Sequence, residues 1–257
     1  MAKAIFITVR TGSTRLPKKA LLDVAGAPAL AYLIRRMKLS KLADMVVVCT
    51  TTLAEDDVLA QIAEREGAKH FRGSVEGKLG RWQGAAHDHG VDFLVTADGD
   101  DLLCDPELID LAFAQSDRSE KAGAPIDFLE APGLACGAFT YGIRVSALDK
   151  VCSIKDTNDT EMMWVYFKDT GLFRLAKLEG VDGIFERPAV RMTLDYPDDY
   201  TFFTTVIDEF EKRGKPYGLR DILAWLDGRP DVVAICSHLQ EAFLANQAKK
   251  THLKIKS

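Results

Sequence analysis

The chain has 257 residues, of which 47% are hydrophobic and 28% charged, and its formal net charge is −5 at pH 7. This length can bury a full core and fits one α/β domain, alone or with a small lobe. The acidic balance argues against nucleic acid as a partner, because duplex affinity depends on a basic face, and no apolar run approaches the roughly 20 residues that span a bilayer.

The five cysteines are scattered through the chain, and none of them forms a C-x-x-C pair. This arrangement predicts free thiols rather than a disulfide framework or a zinc site. The N-terminus passes almost at once into a strand-like run and shows no signal-peptide pattern. We therefore expect a cytoplasmic protein that has no membrane partner.

Apolar runs and helical periodicities alternate through the first 115 residues. The strands predicted in this part are 4–9, 44–50, 68–71 and 91–97. The helices predicted in this part are 29–38, 56–66, 77–89 and 106–114. This β-α alternation predicts a parallel sheet with helices on both faces, and the continuously apolar strands indicate burial on both sides.

The pattern loosens after residue 115, where the polar segment 116–125 predicts a linker or an exposed loop. The later predicted strands are 126–130, 139–143, 173–178 and 191–195. The later predicted helices are 146–151, 162–170, 197–213, 219–226 and 238–248. We expect one α/β domain over 1–257: a mostly parallel sheet flanked by helices, with a small insertion lobe at about 126–190, C-terminal helices and a flexible tail at 249–257.

The loop at 10–19 follows the first predicted strand. It is rich in small residues and carries four cations, Arg10, Arg15, Lys18 and Lys19. Ligands of open α/β sheets bind at the carboxyl ends of the strands. Backbone N–H groups of small residues can approach a polyphosphate closely, and cations neutralise its charge. The loop therefore predicts phosphate binding, with a solvated basic turn as the alternative.

Acidic residues stand at the ends of two further predicted strands. Asp98, Asp100 and Asp101 follow the fourth strand, and Asp195 ends the strand at 191–195. Mg²⁺ takes one or two carboxylates together with water and substrate phosphates. The alternatives are an acidic turn and, at Asp195, a cap for the following helix. The metal is favoured because parallel strands bring the acidic turn and the basic loop to one edge.

A third basic region contains Arg72 and Arg81, which follow the third predicted strand. Arg72 could equally be an ordinary surface cation. No Ser-His-Asp or Cys-His arrangement is visible, and the motif G-x-x-x-x-G-K-[ST] is absent from the sequence. The basic loop is therefore not an ordinary P-loop.

A series of motifs follows in a fixed order along the chain. They are Arg10-x-x-Ser-Thr-Arg-Leu-Pro-x-Lys19, Leu21-x-x-Val-Ala-Gly-Ala-Pro28, Phe71-Arg-Gly-Ser74, Leu79-x-Arg81-Trp82, Asp98-Gly-Asp100, Asp105-Pro-Glu-Leu-Ile109 and Arg191-x-Thr-Leu-Asp-Tyr-Pro-Asp-Asp199. This series resembles the cytidylyltransferases that make CMP-activated acidic sugars. Within them it is most similar to the branch of the spore coat polysaccharide biosynthesis protein F.

The resemblance implies a fold of the nucleotide-diphospho-sugar transferase type. It also implies transfer of CMP from CTP to an acidic sugar of octulosonic or nonulosonic type, with release of pyrophosphate, for cell-surface polysaccharide synthesis. Mg²⁺ is the implied cofactor, and Asp100 and Asp195 match the positions that bind it. Arg15, Lys19 and Asp100 are the implied catalytic residues. The implied nucleotide-binding residues are Arg10, Thr11, Gly12, Ser13, Arg15, Lys19, Arg72, Arg81 and Asp98.

The middle region at about 126–190 is implied to bind the acceptor sugar and to form a homodimer contact. The candidate acceptor ligands are Arg144, Asn158 and Glu161, with a surface ion pair as an equal alternative for Arg144. The family usually has Gly where this chain has Lys18, whose side chain would face either the pyrophosphate or solvent. Three alternatives stay open: a nucleotidyltransferase for another NTP or a sugar phosphate, a sugar-nucleotide-dependent glycosyltransferase, and a non-catalytic nucleotide-binding module.

Overall fold

The computed structural model describes residues 1–256, and these residues form nine β-strands and ten α-helices. The strands are β1 (Lys3–Thr8), β2 (Asp23–Val24), β3 (Ala27–Pro28), β4 (Met45–Thr51), β5 (Lys69–Gly73), β6 (Phe93–Asp98), β7 (Phe128–Glu130), β8 (Tyr141–Arg144) and β9 (Leu175–Lys177). The helices are α1 (Ala29–Met37), α2 (Asp57–Arg65), α3 (Lys78–Asp88), α4 (Pro106–Lys121), α5 (Val145–Ile154), α6 (Val165–Lys168), α7 (Pro197–Lys212), α8 (Leu219–Leu226), α9 (Pro230–Ser237) and α10 (Gln240–Lys250).

One seven-stranded sheet organises the molecule, in the order β5-β4-β1-β6-β8-β7-β9. Strands β5, β4, β1 and β6 are parallel neighbours, whereas β8 is antiparallel to both β6 and β7. Strand β9 pairs in parallel with β7. The structure thus confirms the predicted fold class, a mostly parallel sheet flanked by helices.

Alternate residues of the central strands enter two hydrophobic cores, as the period of two in a strand requires. Ile5 and Ile7 of β1 face the core that contains apolar residues of α1, α2, α4, α7 and α8. Ala4 and Phe6 face the second core, which contains residues of α3, α5 and α6. Both faces of the sheet are therefore buried, which leaves the carboxyl ends of the parallel strands for ligands.

Several predicted boundaries in the second half are wrong. Helix α4 continues to Lys121 across part of the predicted linker, because Gln115 and Ser116 still face the interior. Residues 191–195 form no strand and share only a single bridge, between Cys136 and Arg191. Helix α9 was not predicted, and the helix predicted at 162–170 is reduced to the four residues of α6.

The region at 126–190 is not a separate layer, because β7, β8 and β9 extend the main sheet. Part of the tail, for which flexibility is expected, has regular secondary structure. Residues 249–250 belong to α10, and the backbone of Ile255 forms an antiparallel bridge with Lys155. Among residues 1–256, no helix is both long and apolar enough to cross a bilayer.

Candidate active site

The basic loop and the acidic turn lie side by side, as the parallel sheet predicts. Strands β1 and β6 are in register from Lys3 and Phe93 to Thr8 and Asp98, so both end at the same edge. A cavity of about 650 Å³ opens there. Its lining includes the loop after β1, the turn after β6, segments 130–141 and 161–164, and one face of α10.

Gly99 allows the acidic turn to pack against the start of the loop. A Cβ at this position would lie 2.7 Å from Val9 Cβ and 3.0 Å from the Thr8 carbonyl oxygen. Distances this short are not tolerated between a Cβ and its neighbours. The close approach explains why glycine separates Asp98 from Asp100.

Asp56 anchors the beginning of the loop. Its Oδ1 accepts hydrogen bonds from both the backbone N–H and the hydroxyl of Thr11, each at 2.7 Å, and its other oxygen accepts from the Thr51 hydroxyl. Both Asp56 and Thr11 are buried. Thr11, which is predicted to contact the nucleotide, instead attaches the loop to Asp56 and does not line the cavity.

Two cations of the loop share one carboxylate at the floor of the cavity. Arg15 Nη2 lies 2.5 Å from Asp195 Oδ1, and Lys19 Nζ lies 2.8 Å from the same oxygen. Lys19 Nζ also lies 2.5 Å from Asp100 Oδ2. Burial lowers the pKa of Lys19, but the charges of Asp100 and Asp195 outweigh burial and raise it. Lys19 is therefore a fixed cation between two acids.

The two acids respond differently to burial. Burial raises the pKa of Asp100 above its ordinary value, and Lys19 only partly offsets this effect. For Asp195 burial also acts to raise the pKa, but Lys19 and Arg15 together hold it below its ordinary value. Within residues 1–256, Asp195 Oδ2 accepts no hydrogen bond, although Arg191 Nη2 is 3.5 Å away. This oxygen is buried, with the Arg191 guanidinium as its ion-pair partner.

The carboxylates of Asp98, Asp100 and Asp101 each have an oxygen within 4.8 Å of the others. Such a set of hard oxygen donors suits a divalent cation like Mg²⁺. Asp101 is buried, and both its burial and the charges of Asp100 and Asp98 raise its pKa. A cation here would relieve the repulsion within the cluster. The residues present therefore fit the predicted metal, with Asp98 and Asp101 added to Asp100.

Lys78 is a cation of this site that the sequence reasoning missed. Its Nζ lies 2.8 Å from Asp98 Oδ1 and 5.1 Å from the centre of the Trp82 ring. Burial acts to lower the pKa of Lys78, but the charges of Asp98, Glu161 and Asp100 together have the larger effect. The pKa is therefore raised above its ordinary value. In the sequence Lys78 is one helical lysine among many, and its role depends on α3 starting beside the sheet edge.

The structure brings some of the predicted site residues to the cavity and leaves others outside. The predicted residues that line it are Arg10, Gly12, Ser13, Arg15, Lys19, Arg81, Asp98, Asp100, Glu161 and Asp195. Arg10 lies 3.5 Å from Glu161 across the opening. Arg81 is buried, and its Nη1 donates to the carbonyls of Ser74 and Val75, so it also supports the loop after β5.

Arg144 lies at the opposite edge of the sheet. Because β8 is antiparallel to β6, Arg144 pairs with Phe93 at the beginning of β6 rather than with its end. Its guanidinium is 2.5 Å from Glu120 and donates to the Ile126 carbonyl. The structure therefore does not support the prediction that Arg144 binds the acceptor.

Arg72 and Asn158 are also absent from the cavity lining. Arg72 lies near the carboxyl end of β5, at the same sheet edge as the cavity. Its guanidinium, however, donates to the carbonyls of Thr51 and Leu53, and its Nη1 is 2.7 Å from Asp57. It joins the end of β4 to α2. Asn158 is exposed in the loop before Glu161, which does reach the cavity.

A fold of this type, with a cationic loop facing an acidic turn, is the arrangement expected of a nucleotidyltransferase. A family model described as cytidylyltransferase matches residues 4–175. The chain belongs to the cytidylyltransferase family. This result confirms the family resemblance and the nucleotidyltransferase activity class predicted from the motifs.

Two of the relatives match over nearly the full length, and a third matches over less than half of it. The chain is 26% identical over 231 residues to the spore coat polysaccharide biosynthesis protein SpsF of Bacillus subtilis, covering 88% of this chain and 94% of that protein. It is 27% identical over 237 residues to an uncharacterized protein of Methanocaldococcus jannaschii, covering 91% and 94%. It is also 37% identical over 114 residues to the 3-deoxy-manno-octulosonate cytidylyltransferase of Chlorobium phaeobacteroides, covering 44% of each chain.

Solved structures share the fold. A cytidylyltransferase from Leptospira borgpetersenii superposes with a TM-score of 0.80 at 26% identity, covering 91% of this chain and 97% of that one. A CMP:2-keto-3-deoxy-manno-octonic acid synthetase complexed with CTP has a TM-score of 0.61 at 16% identity, covering 82% and 100%. At that identity the second likeness concerns the fold alone.

Proposed function

We propose that this protein transfers CMP from CTP to a hydroxyl group of an acidic sugar and releases pyrophosphate. The observation that carries the proposal is the meeting of Arg15 and Lys19 with Asp100 and Asp195 at the floor of one cavity. Cations are thereby held where an outer phosphate can bind, beside carboxylates that can hold a metal. Relatives that act in polysaccharide biosynthesis or on octulosonate support the acidic sugar as acceptor.

The reaction needs positioned charge rather than a covalent intermediate. The acceptor hydroxyl loses its proton to solvent as its oxygen attacks the α-phosphorus in line, the bond between the α-phosphorus and the oxygen shared with the β-phosphate breaks, and pyrophosphate leaves with the negative charge. Arg15 and Lys19 would neutralise that charge, and the backbone N–H of Gly12 would approach the phosphates. Because Asp195 and Asp56 hold the loop in place, little reorganisation is needed when the nucleotide binds.

Mg²⁺ is the metal we propose for this site. Asp98, Asp100 and Asp101 would hold it, and Asp195, which the family resemblance also assigns to the metal, lies beside them through the ion pairs of Lys19. When bound, the metal would neutralise charge on the phosphates and lower the pKa of the acceptor hydroxyl group. Asp195 would at the same time keep Arg15 and Lys19 directed at the phosphates.

A pyrophosphate-release assay tests the proposal. The protein is incubated with CTP, UTP, GTP or ATP and Mg²⁺, in the presence of octulosonic and nonulosonic acids, and a parallel series contains EDTA. We expect release with CTP, one of the acids and metal, and none with EDTA.

The other outcomes identify the alternatives. Release with a different NTP or with a sugar phosphate would indicate another nucleotidyltransferase. Consumption of a ready-made sugar nucleotide without pyrophosphate would indicate a glycosyltransferase. CTP binding without release on any acceptor would indicate a non-catalytic module and would overturn the proposal.

We also propose a homodimer and a cytoplasmic location, as the family resemblance implies. Leu172 and Leu175, which are 56% and 46% exposed, lie in the middle region where the resemblance places the dimer contact. Sedimentation equilibrium on the wild-type protein and on a Leu175→Lys variant tests this arrangement. A wild-type monomer at all concentrations would contradict it.

A further inference from the structure

Helix α10 forms one wall of the cavity but belongs to no hydrophobic core. None of its residues is buried. The family match ends at residue 175, and α10 begins 65 residues later, at residue 240. Six of its residues line the cavity, namely Gln240, Phe243, Leu244, Asn246, Gln247 and Lys250. A helix that packs no apolar face into a core yet borders the active-site cavity is placed to contact a substrate.

The helix is held across the cavity at both of its ends. At its beginning, Arg191 Nη1 donates to Gln240 Oε1 at 3.3 Å, and the guanidinium lies 4.6 Å from the centre of the Phe243 ring. After its end, the backbone N–H of Asp156 donates to the Lys254 carbonyl at 2.9 Å. These attachments fix which side of α10 faces the cavity without burying the helix.

Lys250 differs from the other cations that line the cavity. Arg15, Lys19 and Lys78 each pair with an aspartate on the cavity floor, Arg10 faces Glu161, and Arg81 donates to carbonyls. Lys250 makes no ion pair and no side-chain hydrogen bond within residues 1–256, and it borders the same cavity. Its ammonium group is therefore available to an anion that enters with a substrate.

We propose that α10 is the acceptor-binding wall of the cavity and that Lys250 binds the carboxylate of the acidic sugar. This inference rests on the function proposed above and assigns a residue to its second substrate. The triphosphate has cations of its own in the loop after β1, so an additional free cation on a different wall serves a second anion. The amide side chains of Asn246 and Gln247 lie on the same wall and suit sugar hydroxyls.

A matched pair of variants tests the assignment. Lys250→Gln removes the charge at the cavity, and Lys249→Gln removes the neighbouring charge from the same last helical turn, outside the cavity lining. A role limited to the helix dipole would be shared by both lysines. Calorimetric titration in CTP and EDTA, where no turnover occurs, measures the binding of 3-deoxy-manno-octulosonate and of its neutral methyl ester.

We expect the wild type to bind the acid about tenfold more tightly than the ester, which corresponds to one charge-assisted contact. The preference should fall to within about twofold in Lys250→Gln and persist in Lys249→Gln. An unchanged preference in Lys250→Gln, an equal loss in both variants, or no preference in the wild type would each overturn the inference. If the preference depends on Lys250 but no acid gives pyrophosphate release, the proposed function fails and the assignment of Lys250 stands.

Discussion

Asp195 and Asp199 are buried acids on one short segment, but their surroundings differ. Asp199 accepts two hydrogen bonds from Arg191, at 2.8 and 3.1 Å, and two more from the backbone N–H groups of Asp195 and Tyr196. Asp195 instead accepts from Arg15 and Lys19 on one oxygen, and no group in the described part of the chain donates to the other. The first network is saturated and closed. The second is incomplete, and its cations Arg15 and Lys19 line the cavity, so we call it the open network.

We interpret the difference as that between a structural ion pair and the ion pair that we propose for catalysis. In the closed network every strong acceptor is used, so a ligand gains nothing there and removal of one partner leaves a buried charge uncompensated. In the open network the cations can transfer part of their interaction to a phosphate. We therefore expect damage to the closed network to reduce stability and damage to the open network to reduce turnover.

Arg191→Met should have the largest effect. It leaves Asp199 buried without its cation, which typically costs about 3–5 kcal/mol in the free energy of unfolding. Urea denaturation measures this cost. Arg35→Met is the control, since Arg35 forms an equally well-aligned but exposed pair with Glu66, and such pairs contribute at most about 1 kcal/mol. Equal losses in the two variants would contradict the idea of a closed structural network.

Asp100→Ala should show the opposite behaviour. Loss of this contact to Lys19 and the metal is expected to lower turnover by about 10²–10³-fold, while the free energy of unfolding stays near that of the wild type because burial already disfavours the Asp100 charge. Asp208→Ala, at an exposed position of α7, serves as the control. Turnover near the wild-type value would remove Asp100 from the site.

The open network could largely be predicted from the sequence, because the strand-loop-helix pattern alone puts Lys19 and Asp100 at one sheet edge. The sequence could not show that β8 runs antiparallel, and this reversal carries Arg144 to the far edge. Nor could it show that Asp56 uses the hydroxyl of Thr11, or that α10 returns to the cavity. These features depend on long-range packing, and no local pattern encodes them.

Lys78→Met tests whether the open network extends to the residue that the sequence did not reveal. Methionine keeps the apolar stem against Trp82 but removes the charge beside Asp98. We expect the KM for CTP to rise by about tenfold, the value of one charge-assisted contact. Lys69→Met, at an exposed position of β5, controls for the loss of a surface charge. An unchanged KM would confine the network to the loop after β1.

Lys18→Gly should have the smallest effect, and it acts through the backbone that positions Lys19. Lys18 has a φ of +54° and a ψ of +29°, a left-handed conformation that costs a residue with a Cβ about 1–2 kcal/mol. Glycine removes this cost but loses about 0.5–1 kcal/mol of chain entropy on folding.

We therefore expect Lys18→Gly to raise the free energy of unfolding by roughly 0.5–1 kcal/mol in urea denaturation. Ala25→Gly should do the same, since Ala25 has a φ of +51° in the β2–β3 turn, away from the cavity lining. The Lys18 side chain is exposed and does not line the cavity, so turnover should stay within about twofold of wild type. A tenfold loss of turnover would instead place its ammonium group on the departing pyrophosphate, because the backbone change alone favours the loop.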